Sequence, residues 1–209
     1  MAEAFGKMTV EALTAQLASS SPTPGGGGAA ALCGALAASL GAMAARLTAG
    51  KKKFLPFIED HRQIIVACDV LRVDLLELMD ADAAGFAPLA QVYAMDRSLP
   101  DYPARLRQAT LDAAAAPYAM VERCRDMVVL LEELRGKCSA LLLSDVGCAA
   151  ALARAAMECA AINVWVNTRT LPEDDEARAL KERTAAIVAE FGPRAAALAS
   201  EIASEMKGE

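Results

Sequence analysis
The residues of this chain best suited to moving protons are carboxylates set in apolar sequence. Asp80 and Asp82 in LMDADAAGF, with Phe86 beside them, follow an aliphatic run, and Asp145 follows Ser144 in LLLSDVGCAA. A carboxyl whose pKa is shifted by its surroundings can serve as base or acid without a metal. Plainer roles exist for each. Asp80 and Asp82 read by default as solvated helix charges, and Ser144 and Asp145 as an N-cap and a first-turn acid. Asn163 and Asn167 in INVWVN lie four residues apart, on one helical face amid apolar neighbours. Buried amides need partners, so these are either interhelical hydrogen-bonding groups or donors to a ligand.

A second chemistry is written in Ser21 to Lys53, SPTPGGGGAAALCGALAASLGAMAARLTAGKKK. Pro22 and Pro24 fix the backbone, and Gly25, Gly26, Gly27 and Gly28 let a ligand approach the main chain. Good helix formers follow from Ala29, so the free N–H groups of a helix start would face a carboxylate or phosphate. Lys51, Lys52 and Lys53 add the only dense basic run. The GxxxxGK[ST] pattern is lacking and no apolar strand precedes the glycines, which excludes a P-loop. The run Gly25 to Ala45 carries no charge and is long enough to span a bilayer. Its Gly and Ala content fits a buried helix better, with Gly34, Ala38, Gly41 and Ala45 allowing a neighbouring helix to approach closely.

The elements that must position these residues all read as helices. A short one runs from Thr9 to about Ser19 and is followed by the small-residue helix. A third begins near Pro56 and carries Ile58, Ile65, Cys68, Leu71, Leu75 and Leu78 on an apolar face toward Met95, with a kink expected at Pro88. A fourth starts after Pro100 and Pro103, is interrupted by Pro117 and resumes to Gly136. Ser144 would cap a fifth, from Asp145 to about Asn167, in which Arg154 and Glu158 pair at i, i+4. The acidic run Glu173 to Glu176 opens a last helix with a break at Gly192 and Pro193. No stretch alternates as a strand, and no internal repeat or composition break divides the chain. The expectation is all-α: a single domain over residues 1–209, built of long, partly kinked antiparallel helices.

With 209 residues, 55% hydrophobic and 4% aromatic, the chain must fill its core with Ala, Leu, Val and Met. Basic residues number 21 against 27 acidic, a formal charge of -6, which argues against nucleic acid as a partner. Six cysteines without a CxxC pair read as reduced core thiols. The one histidine, His61, stands among Glu59, Asp60 and Arg62 as at an exposed helix start, so the ligand set of a zinc hydrolase cannot be assembled and no metal is expected. No basic n-region precedes an apolar h-region, so a cytoplasmic, non-membrane protein is expected.

Taken in order, PTPGGGGAAA, LTAGKKKF, DAAGF, SDVGCAA and INVWVN resemble the successive motifs of the cyclodeaminase/cyclohydrolase family. That family comprises the cyclodeaminase domain of formiminotransferase-cyclodeaminase and stand-alone methenyltetrahydrofolate cyclohydrolases. The resemblance covers nearly the whole chain and implies an all-α homodimer acting on a folate substrate without a further cofactor. Phe54 stands where many relatives have Tyr, and Gly85 where a larger residue is common.

Two reactions follow from the resemblance. Water opens 5,10-methenyltetrahydrofolate to 10-formyltetrahydrofolate, or 5-formiminotetrahydrofolate cyclises with loss of ammonia. Both pass through a tetrahedral carbon between N5 and N10. Asp82 and Asp145 are the candidates for acid and base, with Lys51 as electrostatic or proton-transfer partner. Pro24, Gly25 to Gly28, Lys52 and Ser144 would line the folate site, and Asn163 and Asn167 would bond the pterin edge. The chain leaves no room for a formiminotransferase domain, which favours the cyclohydrolase over the cyclodeaminase. A helical folate-binding protein without catalysis is a third reading, against which the intact SD and DA motifs speak.

Overall fold
Apolar residues at helical spacing bury one stripe of each of six helices in a computed structural model that describes residues 4–208. They are α1 (Val10–Leu17), α2 (Gly26–Thr48), α3 (Ile58–Tyr93), α4 (Tyr102–Arg135), α5 (Leu143–Thr168) and α6 (Asp175–Lys207). Among the described residues there is no strand. Helices α2, α3, α4 and α5 close a four-helix ring in which each packs on two neighbours, and α6 lies outside it against α5 and α4. Their shared core is built largely from alanine, with Leu75, Met79, Met127, Leu131 and Met157 as its larger members.

Glycine sets the spacing of α2 against α3. Gly27, Gly34 and Gly41 recur every seven residues and meet Asp82, Leu75 and Cys68, which recur every seven in the opposite sense, so the two helices run antiparallel in heptad register. At Gly34 an added Cβ would stand 3.0 Å from Leu75 Cδ1, and at Gly41 it would stand 3.2 Å from both Cys68 Sγ and Met127 Cε. Helix α2 has the length and hydropathy of a bilayer span, yet most of its most apolar window is buried within the protein.

Several boundaries differ from the expectations. Helix α2 starts at Gly26, so three of the four glycines are its first turn and Gly25 its N-cap; none of them has a positive φ. The helices α4 and α6 run unbroken through Pro117 and Pro193. A proline removes one donor, and helices packed along their length tolerate that local loss. Helix α5 begins at Leu143 after a 3-10 turn (Ala140–Leu142), which puts Ser144 inside the first turn, exposed, and not at the N-cap.

His61 is fully buried, contrary to the exposed helix start expected. It shares a face of α3 with Ile64 and Cys68, three and seven residues on, while Glu59, Asp60 and Arg62 point elsewhere. Cys148 and Cys159 are exposed, so only part of the cysteine set is core. At Gly85, where a larger residue is common, a Cβ would stand 3.1 Å from the Asp112 carbonyl oxygen, so the glycine lets α4 approach. Other expectations match: α1 starts beside Thr9, α6 starts within the acidic run, and Arg154 pairs with Glu158 at 2.8 Å. The structure adds the caps, Thr9 Oγ1 accepting from Ala12 N at 3.1 Å and Asp174 accepting from Ala177 N.

Candidate functional site
The N-terminus of α2 meets Asp82 and Asn163 at one place. Gln16 Nε2 and Ser21 Oγ both donate to the Thr23 carbonyl, and the Thr23–Pro24 bond that leads into the glycines is cis. Pro24 supports the first turn closely, because a Cβ at Gly28 would lie 2.9 Å from Pro24 Cβ. On the α3 side a Cβ at Gly27 would overlap the Asp82 carboxylate, which occupies the space the missing side chain leaves. On the α5 side, Asn163 Nδ2 lies 3.2 Å from where a Gly26 Cβ would stand. The glycines therefore serve close approach of side chains to the helix start, and not unusual backbone angles.

Burial disfavours the charged form and raises the Asp82 pKa to about 6, from 3.8. Among the described residues no cation pairs with it. A carboxyl at that pKa is mostly ionised at neutral pH and still able to hold a proton, as a group that both takes and returns one must be. Asp80, two residues earlier, has a different role: its Oδ1 accepts from Phe5 N at 2.9 Å and ties the N-terminal segment to α3.

The two asparagines divide in the same way. Asn167 Nδ2 donates to the Ala113 carbonyl at 3.0 Å and ties α5 to α4. Asn163 Nδ2 donates to Cys159 O at 2.8 Å within its own helix, holding the side chain against the glycine turn. An apolar cavity of about 120 Å³ adjoins the turn, between Leu13, Leu17, Gly28, Leu32 and Met79. A larger groove of about 540 Å³ lies between α3 and α4 around Val70, Asp74 and Arg123 and includes none of these residues.

Lys51, Ser144 and Asp145 lie elsewhere. Lys51 follows the C-terminus of α2, where Gly50, with φ of 81°, turns the chain so that Lys51 Nζ donates to Ser139 Oγ at 3.0 Å. Its charge and the opposite charge of Asp145 both act on the Cys138 thiol, which burial raises. The exposed Lys52 begins the 3-10 segment (Lys52–Phe57), and Lys53 Nζ lies 5.6 Å from the Phe54 ring centroid. Since α2 spans Gly26–Thr48, helical rise separates its two ends by roughly 33 Å. Within one chain, Asp82 and Asn163 thus stand at one end of α2, and Lys51 and Asp145 at the other. Sequence reasoning missed Ser139, Thr48 and His61 at that second end. Thr48 lies within the LTAGKKKF motif but no motif marks Ser139 or His61; at the first end, a signal was available in the spacing of seven that extends the Gly34 and Gly41 stripe to Gly27.

Among the described residues no three His, Cys, Asp or Glu side chains converge as a metal-ligating group. Residues 9–186 match the family model described as Formiminotransferase-cyclodeaminase. The chain is 33% identical to a methenyltetrahydrofolate cyclohydrolase of Methylorubrum extorquens, over 90% of this chain and 92% of that one. It is 26% identical to the formimidoyltransferase-cyclodeaminase of Rattus norvegicus over 90% of this chain but only 36% of the rat protein. Its fold matches the crystal structure of a formiminotetrahydrofolate cyclodeaminase from Thermotoga maritima with a TM-score of 0.83, covering 94% of this chain and 98% of that one at 24% identity.

Proposed function
The chain belongs to the formiminotransferase-cyclodeaminase family, and from that premise we propose that it is a methenyltetrahydrofolate cyclohydrolase. The end-to-end likeness to the Methylorubrum cyclohydrolase supports this reaction over cyclodeamination, whose rat relative is more distant and much longer. The observation that carries the chemistry is the half-buried Asp82 carboxyl, with its pKa raised to about 6, lying against Gly27 at the start of α2.

The substrate is a cation whose charge is spread over N5, the bridging carbon and N10. The Asp82 carboxylate stabilises it and takes a proton from the water that attacks the carbon. A neutral tetrahedral intermediate forms. Asp82 returns its proton to N5 as the C–N5 bond breaks, the remaining hydroxyl proton passes to solvent, and 10-formyltetrahydrofolate leaves with the formyl group on N10. Pro24 and Gly25 to Gly28 hold the folate at the helix start, and Asn163 offers its amide oxygen to the pterin edge. Asn167, already bonded to α4, supports α5 beneath it. Lys52, beside Lys51 at the far end of α2, would face the glutamate tail as an exposed cation only from a second copy of the chain.

Purified protein is expected to bleach the methenyl chromophore of 5,10-methenyltetrahydrofolate faster than buffer, and to generate no chromophore from 5-formiminotetrahydrofolate. Chromophore gain with ammonia release would assign the cyclodeaminase reaction instead.

Two copies are needed to bring Lys51, Ser144 and Asp145 to Asp82. Leu36 and Leu47 on α2, and Ile162 and Val166 on α5, leave apolar surface exposed on adjacent helices, with Leu32 and Leu40 partly buried between. A two-fold axis near the middle of α2 would cover this surface and set the C-terminal end of one α2 beside the N-terminal end of its partner. Each site would then take Asp82 from one subunit and Lys51, Ser144 and Asp145 from the other. Asp82→Asn and Lys51→Ala, each nearly inactive alone, should recover about a quarter of wild-type activity after subunit exchange, since mixed dimers hold one intact site. No recovery would place both residues of a working site in one chain, or leave Lys51 outside it.

A further inference from the structure
Six polar side chains are buried among the described residues: Thr48, His61, Thr110, Ser139, Thr168 and Thr184. Thr168 and Thr184 bond carbonyls one turn back in their own helices. Thr48, His61 and Ser139 are different, because they come from α2, α3 and the α4–α5 connection and converge on residues 137–139. His61 Nε2 lies 2.7 Å from the Lys137 carbonyl oxygen; since a carbonyl only accepts, this nitrogen carries the proton. Ser139 N donates to Thr48 Oγ1 at 3.1 Å, and the same hydroxyl lies 3.5 Å from Cys138 Sγ. Lys137 Nζ pairs with Asp60 at 2.9 Å and Glu133 at 2.8 Å. The connection is therefore pinned to α2, α3 and α4 by polar contacts, with His61 Nδ1 the buried ring nitrogen that finds no partner among the described residues.

The Ser139 hydroxyl in this frame accepts a hydrogen bond from Lys51 Nζ. The path closes on itself, because Lys51 N also donates to the Thr48 carbonyl at 3.2 Å, three residues back. A lysine has a long flexible stem and loses much rotamer freedom when fixed, so an ammonium that must act at one point needs an anchor.

We propose that Ser139 is a positioning residue for the reaction: it holds the Lys51 ammonium in place, and is itself held by Thr48, on a connection that His61 pins at the Lys137 carbonyl. This rests on the reading above, in which Lys51 serves hydrolysis of the methenyl group. Ser139 acts through Lys51 and needs no contact with the folate.

The test is a double-mutant cycle on methenyltetrahydrofolate hydrolysis, with thermal melting of every variant. Ser139→Ala is expected to lower kcat roughly tenfold to a hundredfold, the range for losing a hydrogen bond to a charged group, with KM within about twofold. Ser139→Thr, which keeps the hydroxyl, should recover most of that loss. In the Lys51→Ala background, Ser139→Ala should have no further effect on kcat. Full additivity of the two losses, or a kcat loss that tracks the melting temperature and is not relieved by Ser139→Thr, would overturn the proposal. Normal kcat for Ser139→Ala beside a slow Lys51→Ala would overturn the positioning role alone. Normal turnover by Lys51→Ala would remove Lys51 from the mechanism and the proposal with it, and wild-type protein that leaves the chromophore intact would overturn the cyclohydrolase reading itself.

Discussion

Asp82→Asn should slow methenyltetrahydrofolate hydrolysis by about a hundredfold or more, the usual size of a general acid–base contribution, while making the protein harder to unfold at pH 8. The two effects share one cause. Burial raises the Asp82 pKa from 3.8 to about 6 by disfavouring the charged form. Below about pH 4 the carboxyl is neutral in the folded and the unfolded chain, and well above pH 6 it is charged in both, where only the folded chain bears the desolvation cost. Stability thus falls as pH rises from about 4 to about 6 and stays lower above it. The rise from 3.8 to about 6 corresponds to about 3 kcal/mol, and screening of the part-exposed carboxyl reduces that to roughly 1–2 kcal/mol. The asparagine variant lacks this fall, so urea melts at pH 5 and pH 8 should differ less for it than for the wild type. A loss of turnover with an equal loss of stability at pH 8 would make Asp82 structural.

Gly27→Ala is expected to leave the helices in place and still reduce kcat by roughly tenfold to a hundredfold, because misplacing a reacting group by about an ångström has that consequence. The added methyl would enter the space of the Asp82 carboxylate. That carboxylate ends a rotatable side chain, so it moves and the backbone does not. Alanine also improves helix propensity by about 1 kcal/mol over glycine, which offsets the local crowding. Gly26→Ala is the matched control: its Cβ would stand 3.2 Å from Asn163 Nδ2, a contact that small adjustments relieve, and its effect should be clearly smaller. Circular dichroism and melting establish the fold of both variants, and kcat separates them. Full activity in Gly27→Ala would mean that the Asp82 position seen here is not the working one.

Much of this was legible in the sequence. Hydrophobic periodicity from Thr9 onward and the acidic first turn at Glu173 to Glu176 located the helices, and the ordered motifs led to the family. Pro117 and Pro193 misled because a helix held by its neighbours survives the loss of one hydrogen bond. Ser144 misled because the main chain of the preceding 3-10 turn, and not a side chain, starts α5. His61 was judged by its charged neighbours, when its own helical face pointed into the core. At the site, residue types marked Asp82 and the glycines, but their contact depends on the antiparallel register of α2 and α3. Only the shared spacing of seven hinted at that. That Lys51 and Asp145 stand at the far end of α2 follows from the length of one helix and the direction of its neighbours, which motif order does not encode.

The central claim is that Asp82 works as the base of a folate cyclohydrolase. Its most direct measurement is kcat/KM for methenyltetrahydrofolate hydrolysis by the wild-type protein from about pH 5 to about pH 8, corrected for the uncatalysed rate at each pH. The account predicts a rise through an inflection near pH 6 to a plateau, as the carboxyl that burial has raised to about 6 becomes ionised. A rate no faster than buffer, or a profile without an inflection in that region, would contradict it.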